Sequence, residues 1–99
     1  MSEEQVMIVI TYDRAIDEEV LDLLDGLTLR EYTRWKDVTG AGRHDPHLGS
    51  DVWPGLNNIL FVVTDVEKKE VLLEAVKGLQ KNVSLVGLRA FVLPVLETV

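Results

Sequence analysis

Cysteine is absent from this chain, and basic residues are fewer than acidic ones. Because there are zero cysteines, the 99 residues contain no disulfide and no thiolate metal site, which is typical of a cytoplasmic protein. Ten Lys and Arg against 17 Asp and Glu give a net charge of −7. This charge argues against non-specific binding to a phosphate backbone, which requires a basic surface. We therefore expect a cytoplasmic protein that does not bind nucleic acid.

Long hydrophobic runs are also absent. No apolar run approaches the roughly 20 residues of a membrane helix, and residues 1–5 do not resemble a signal peptide, so no membrane insertion is expected. No nucleophile and base stand at a spacing that suggests a catalytic triad, and the sequence predicts a protein that is not an enzyme. What is present is an ordinary globular composition, 46% hydrophobic and 27% charged, in one domain spanning residues 1–99.

Four strands are predicted from the hydrophobic pattern. Residues 6–12 (VMIVITY) and 58–64 (NILFVVT) are apolar on both alternating faces, which is typical of central strands. Residues 29–38 carry many charges, and residues 88–95 contain Pro94, and both features are typical of edge strands.

Two helices are predicted between these strands, each after an aspartate that can cap its first turn, Asp13 and Asp65. The first helix opens with acidic residues 17–19, which we expect to be solvated, and the second is expected to end with the help of Gly78 and Asn82. The predicted buried stripes are Val20, Leu23, Leu24 and Leu27 in the first helix, and Leu72, Ala75, Val76 and Leu79 in the second.

The order strand, helix, strand, strand, helix, strand predicts an α+β, ferredoxin-like βαββαβ fold. In this fold a four-stranded antiparallel sheet carries two helices on one face, and the strand order 4-1-3-2 places the two apolar strands in the centre. The other face is then left bare with several large aliphatic side chains on it. Monomeric proteins rarely expose such a patch, so we expect a homo-oligomer.

Residues 40–57, GAGRHDPHLGSDVWPGLN, form a long loop between strands two and three and have no apolar periodicity. Loops longer than about 12–15 residues without structure of their own are usually functional or disordered. The partner-binding candidates in this loop are Asp51, Trp53 and Pro54. The alternative for Trp53 is that it holds the loop against a neighbouring subunit.

Both histidines of the chain lie in this loop. Neutral imidazole is a common ligand of divalent transition metals, and a carboxylate can complete the coordination. The candidate metal ligands are therefore His44, His47 and Asp45. The alternative is a polar loop in which the histidines cap turns or contact a neighbouring subunit.

Two stretches resemble the PII signalling proteins. VTGAGR at residues 38–43 resembles the V-x-G-x-G-R at the base of that family's large loop, and AFVLPV at residues 90–95 resembles its final strand, I-F-V-x-P-V. The resemblance implies a homotrimer that binds a small effector, such as an adenine nucleotide, in the cleft between subunits. It also implies that the loop contacts a partner protein, a transporter or an enzyme. The implied effector-binding residues are Gly40, Gly42, Arg43, His44 and Arg89.

The chain departs from that family at several positions. VSLVGL at residues 83–88 stands where the family has T-G-x-x-G-D-G, residues 96–99 contain no arginine, and the loop contains no tyrosine. His44 stands where the family has a glutamine that helps to coordinate magnesium, and Arg89 where it has a phosphate-binding lysine. Because a triphosphate requires several cations and these positions supply only Arg43 and Arg89, ATP binding in that family's usual manner is not expected.

A weaker resemblance is to the CutA divalent-cation tolerance family, another trimer with this fold. It rests on YTRWK at residues 32–36, which resembles an aromatic strand of that family. This resemblance implies the alternative function, a divalent metal-binding protein that uses the loop histidines.

Overall fold

The chain folds as the predicted ferredoxin-like sheet with two helices, in a computed structural model that describes residues 4–41, 46–47, 56–82 and 87–99. The four main strands form an antiparallel sheet in the order Thr33–Val38, Asn57–Asp65, Gln5–Asp13 and Arg89–Pro94, so the two strands predicted to be central are central. The strands are β1 (Gln5–Asp13), β2 (Thr33–Val38), β3 (Gly40–Ala41), β4 (Pro46–His47), β5 (Asn57–Asp65) and β6 (Arg89–Pro94). The helices are α1 (Asp17–Gly26) and α2 (Val66–Asn82), and a 3-10 turn (Arg14–Ile16) joins β1 to α1.

The hydrophobic core lies between one face of this sheet and the two helices. Ile8 and Ile10 of β1 and Leu60 of β5 are fully buried on this face, where they pack with Leu24 of α1 and Leu72 of α2. Burying a side chain of this size stabilises a fold by about 1.5–3 kcal/mol. Both helices therefore cover the same face, as predicted.

The opposite face of the sheet is apolar, and no described helix covers it. Directly opposed residues of antiparallel strands share a face, so Val9 stands in one row with Phe61 and Phe91. Phe91 is 53% exposed and Trp35 is 49% exposed, although the Trp35 ring packs against Phe61 with centroids 5.7 Å apart. We call this surface the open face. Its members are Met7, Val9, Trp35, Ile59, Phe61, Val63, Phe91 and Leu93.

The second strand is shorter than predicted. It begins at Thr33, whereas the hydrophobic pattern predicted a strand from residue 29. Thr28 adopts a left-handed conformation with φ 58°, and the Leu29 amide donates to the Leu24 carbonyl at 2.9 Å. The segment thus completes the end of α1, and Leu29 is buried in the core rather than in the sheet.

The helix ends also differ in part from the prediction. Asp65 accepts a hydrogen bond from the Lys68 amide at 2.8 Å, which confirms it as the cap of α2. Asp13 instead caps the 3-10 turn, where it accepts from the Ala15 amide at 2.8 Å. The expectation that Gly78 helps to end α2 was wrong, because the helix continues to Asn82. No helix in the described ranges is long and apolar enough to cross a membrane.

Candidate functional site at the base of the loop

The loop of residues 40–57 leaves and rejoins the sheet at one end. Val38 of β2 stands opposite Asn57 of β5, so the two ends of the loop are neighbours. The short strands β3 and β4 then pair with each other, with Gly40 opposite His47. The expectation that this segment has no structure of its own was therefore wrong, because it contains a short two-stranded ladder.

Gly40 is closely packed against a side chain at this point. A Cβ atom added to it would lie 2.8 Å from Nδ2 of Asn57, which is too close for a real contact. Among the described residues, the Asn57 side chain lies against this position, and the predicted role of Gly40 in letting the backbone approach a ligand stays a prediction. Any residue other than glycine has to displace this amide.

Arg89 lies at the same end of the sheet as Gly40 but on the opposite edge. It is exposed at the start of β6, where it stands opposite Thr11 on the open face. Gly40 follows β2, which forms the other edge. Three inter-strand spacings separate β6 from β2, which is roughly 14 Å. These two predicted effector-binding residues are therefore not brought together within one subunit.

The remaining predicted site residues lie outside the described residues, or are described only in part. His47 lies in β4, and its side chain is outside the described part of the structure. Among the described residues, no group of three or more His, Asp or Glu is close enough to hold a metal ion. The metal hypothesis for His44, His47 and Asp45 stays a prediction. Outside the described residues lie Gly42, Arg43, His44, Asp45, Asp51, Trp53 and Pro54.

A buried polar network stands next to the loop base, on the helix side of the sheet. Asp17, the first residue of α1, accepts hydrogen bonds on Oδ1 from Tyr12 Oη at 2.7 Å and from Asn58 Nδ2 at 2.9 Å. Its Oδ2 accepts from Arg34 Nη1 at 2.9 Å. The expectation that the acidic first turn is solvated was wrong for Asp17, whose side chain is only 23% exposed. Glu18 and Glu19 are exposed as predicted.

The phenol of Tyr12 is held neutral by this environment. Burial contributes most, and the hydrogen bond to the Asp17 carboxylate and its negative charge act in the same direction. Together they raise the pKa of Tyr12 well above its usual value near 10. Tyr12 is therefore a structural hydrogen-bond donor at physiological pH.

The network extends to both ends of the loop. Asn58 Oδ1 accepts from the backbone amide of Asp37 at 2.8 Å, and Asp37 Oδ1 accepts from Arg14 Nη1 at 3.2 Å. The backbone amide of Arg14 in turn donates to the Leu56 carbonyl at 2.9 Å. One chain of contacts thus links the start of α1 to the residues that flank the loop. We call it the base network. Its members are Tyr12, Arg14, Asp17, Arg34, Asp37 and Asn58.

The base network was not predicted from the sequence, although the strand pattern contains a signal for it. Tyr12 continues the buried alternation of β1, and Asn58 begins the buried alternation of β5. A polar side chain at a buried position needs a hydrogen-bond partner, so these two residues predict a polar cluster. Within the described ranges, no buried side-chain nitrogen or oxygen lacks a partner.

Comparisons with known proteins agree with the motif resemblance. No protein-family model and no curated protein sequence matches the chain. Among solved structures, CPII of Thiomonas intermedia K12 bound to ADP and bicarbonate superposes with a TM-score of 0.77 at 21% identity, covering 93% of this chain and 86% of that one. A Thermus thermophilus protein assigned to PII-like signalling has a TM-score of 0.69 at 16% identity, covering 94% and 88%.

A member of the DUF3240 family from Shewanella baltica OS155 has a TM-score of 0.66 at 19% identity, covering 99% of this chain and 96% of that one. Identities this low establish the fold rather than a shared ligand or activity. The resemblance to CutA stays a prediction. The chain therefore has the fold of the PII-like proteins.

Proposed function

We propose that this chain is a non-enzymatic PII-like regulatory protein whose subunits assemble as a homotrimer and bind an adenine nucleotide between them. The observation that carries the proposal is the position of Gly40 and Arg89, at one end of the sheet but on opposite edges. In a closed ring each interface joins two different surfaces of the subunit. The β2 edge of one copy then meets the β6 edge of the next, and the two residues face one ligand.

The open face supplies the driving force for assembly. Phe91, Trp35 and Leu93 are 53%, 49% and 45% exposed in a single subunit, and they lie on one continuous surface. Covering side chains of this size contributes up to about 1.5–3 kcal/mol each. Monomeric proteins rarely leave so large an apolar surface in water, and a second and third copy cover it.

The nucleotide that fits best has fewer phosphates than ATP. CPII, a PII-like protein with the same fold, is seen with ADP, AMP and bicarbonate. In the present chain Arg43 and Arg89 are the cations at the positions implied by the PII resemblance, which suits ADP or AMP. The bound nucleotide selects one arrangement of residues 40–57, and a partner protein, a transporter or an enzyme, reads this arrangement.

Calorimetric titration of the full chain with ADP, with and without bicarbonate, tests this proposal. We expect micromolar affinity for ADP and a loss of roughly tenfold or more in Arg89→Ala, because a hydrogen bond to a charged group contributes about 1.5–3 kcal/mol. Arg30→Ala is the matched control. It also removes one exposed arginine, which pairs with Asp25 at the far end of α1.

Two results would contradict the proposal. If wild-type protein does not bind ADP, the nucleotide is not the effector. If Arg89→Ala and Arg30→Ala weaken binding equally, the effect is one of net charge, and Arg89 is not part of the site.

A further inference from the structure

We propose that Asn58 and Asp37 are positioning residues that hold the base of residues 40–57 in one geometry and so place the Gly40 backbone at the nucleotide site. The identity of the ligand rests on the function proposed above. The positioning itself rests on contacts within one subunit. Nothing in the PII resemblance assigns a role to either residue.

Asn58 is the centre of this arrangement. Asn58 is only 1% exposed, so water cannot reach its side chain to replace a hydrogen-bond partner that is lost. The amide nitrogen donates to Asp17 Oδ1, and the amide oxygen accepts from the Asp37 backbone N–H. A flipped amide would set its oxygen against a carboxylate and its NH₂ against a donor. The surroundings therefore fix one orientation of Asn58, and this orientation fixes the Asp37 backbone.

Asp37 is held in a conformation that most residues avoid. Its φ is 59°, and it lies where the register between β2 and β5 shifts, between Trp35 and Val38. Non-glycine residues remain in this region when the surrounding structure holds them there. The holding contacts are the Asn58 acceptor on its amide and the Arg14 guanidinium on its carboxylate.

The geometry at Asp37 is transmitted to Gly40 over a short distance. Val38 is paired with Asn57, and Gly40 packs so closely against the Asn57 side chain that a Cβ would lie 2.8 Å from its amide nitrogen. Arg14 also binds the Leu56 carbonyl, which fixes the other end of the loop relative to Asp37. Loss of the Asn58 acceptor therefore frees Asp37 and shifts the Gly40 backbone.

The role of Asn58 can be separated from the stability of the core. In Asn58→Ala, Asp17 keeps its hydrogen bonds from Tyr12 and Arg34, so the start of α1 remains attached to the sheet. The control is Val76→Ala, which removes buried methyl groups from α2, a helix that does not contribute to the base network. Both variants destabilise the fold, but only Asn58→Ala loosens the loop base.

Hydrogen exchange of the ligand-free, full-length protein, resolved to single amides by NMR, is the primary test. The amides of Asp37 and Gly40 are expected to exchange about tenfold faster in Asn58→Ala than in Val76→Ala. In Asn58→Ala the Asp37 amide loses its hydrogen-bond acceptor, so the loop base opens locally. In Val76→Ala these amides become exposed only when the core opens. Equal exchange at these amides in the two variants would overturn the inference.

A second pair of variants decides the question if Asn58→Ala does not fold. Asp37→Asn and Asp25→Asn each remove one surface carboxylate that pairs with an arginine. Faster exchange at the Val38 and Gly40 amides in Asp37→Asn alone supports the inference. Equal exchange at these amides in the two variants contradicts it.

ADP affinity links this geometry to function. Residues that orient the ligands of a metal site typically change metal affinity or activity by about 10–100-fold when removed, and we expect a positioning residue to have an effect of similar size here. We expect Asn58→Ala to weaken ADP binding about tenfold, and Val76→Ala to leave it within about twofold. Wild-type affinity retained in Asn58→Ala would contradict the link. If wild-type protein does not bind ADP at all, the proposed function fails, and the exchange comparison still decides whether Asn58 and Asp37 position the loop base.

Discussion

Tyr12 and Asn58 are polar side chains at positions where the strand pattern buries a residue. Both are 1% exposed, and both bind the carboxylate of Asp17. A buried polar group without a partner costs about 1–3 kcal/mol. Breaking one of these hydrogen bonds therefore destabilises the fold by more than forming it contributes in net stability. Both side chains of the base network that are fully buried therefore need their hydrogen-bond partners for the fold to be stable.

The raised pKa of Tyr12 predicts how stability depends on pH. The folded protein keeps this proton at pH values where the unfolded chain, with a tyrosine pKa near 10, has lost it. The contribution of Tyr12 is therefore complete below about pH 10 and is lost progressively as the pH rises above it. Urea unfolding of wild type, Tyr12→Phe and Tyr32→Phe between about pH 8 and 11.5 measures this dependence.

We expect the free energy of unfolding to fall more steeply with alkaline pH in wild type and in Tyr32→Phe than in Tyr12→Phe. Tyr32 is the matched control because it is exposed at the surface. The three proteins differ only at the replaced tyrosine, so the comparison isolates the contribution of Tyr12. The same slope in Tyr12→Phe and in wild type would show that Tyr12 is not held neutral by burial.

Thr28 offers a second prediction at a single residue. It ends α1 in a left-handed conformation with φ 58°, the position at which helices usually have glycine. Replacement by glycine removes the steric cost of the Cβ, so Thr28→Gly is expected to stabilise the protein by about 0.5–1 kcal/mol. Urea unfolding at fixed protein concentration measures it, with Thr28→Ala as the control that keeps a Cβ. No gain of Thr28→Gly over Thr28→Ala would contradict it.

At the scale of whole elements, α2 tolerates a glycine in its interior. A Cβ added to Gly78 would meet no atom of the described residues within 4 Å, whereas one added to Gly40 would meet the Asn57 amide at 2.8 Å. Gly78→Ala is therefore expected to stabilise the protein by about 0.5–1 kcal/mol through helix propensity, and Gly40→Ala is not. Thermal unfolding of the two variants at equal concentration checks this, and equal shifts in Tm would contradict it.

The secondary-structure elements were predicted correctly where the pattern of apolar residues had a single cause. Both central strands were found because apolar residues alternate on both faces, and Pro94 correctly indicated an edge strand. The start of β2 was placed too early because Leu29 was taken as a strand residue. Leu29 is apolar because it belongs to the core beneath the end of α1. Periodicity alone does not distinguish these two causes of burial.

The candidate site was less predictable than the fold. The motif at residues 38–43 indicated the loop base, where Gly40 packs against the Asn57 side chain, and effector binding at Gly40 stays a prediction. The base network was missed because its contacts join residues far apart in sequence, such as Asn58 with Asp17 and Asp37 with Arg14. A charge run such as residues 17–19 predicts solvation, and only the packing of β1 and β5 shows which carboxylate is enclosed.

At the scale of the whole molecule, the proposed assembly rests on the open face. Phe91 lies on this face and Val71 lies on α2, and both are 53% exposed in one subunit. Phe91→Lys is expected to dissociate the proposed homotrimer, because it would place a charge in the proposed apolar interface. Val71→Lys is expected to leave the assembly intact. Sedimentation velocity distinguishes the two, and dissociation by neither variant or by both would contradict the proposed interface.

The mass of the wild-type protein in solution tests the assembly most directly. Light scattering after gel filtration, at micromolar concentrations, is the measurement. Assembly through the open face predicts a particle of about three times the 11.1 kDa chain mass. A stable species of 11.1 kDa over the whole concentration range would contradict it, and the nucleotide site between subunits would fail with it.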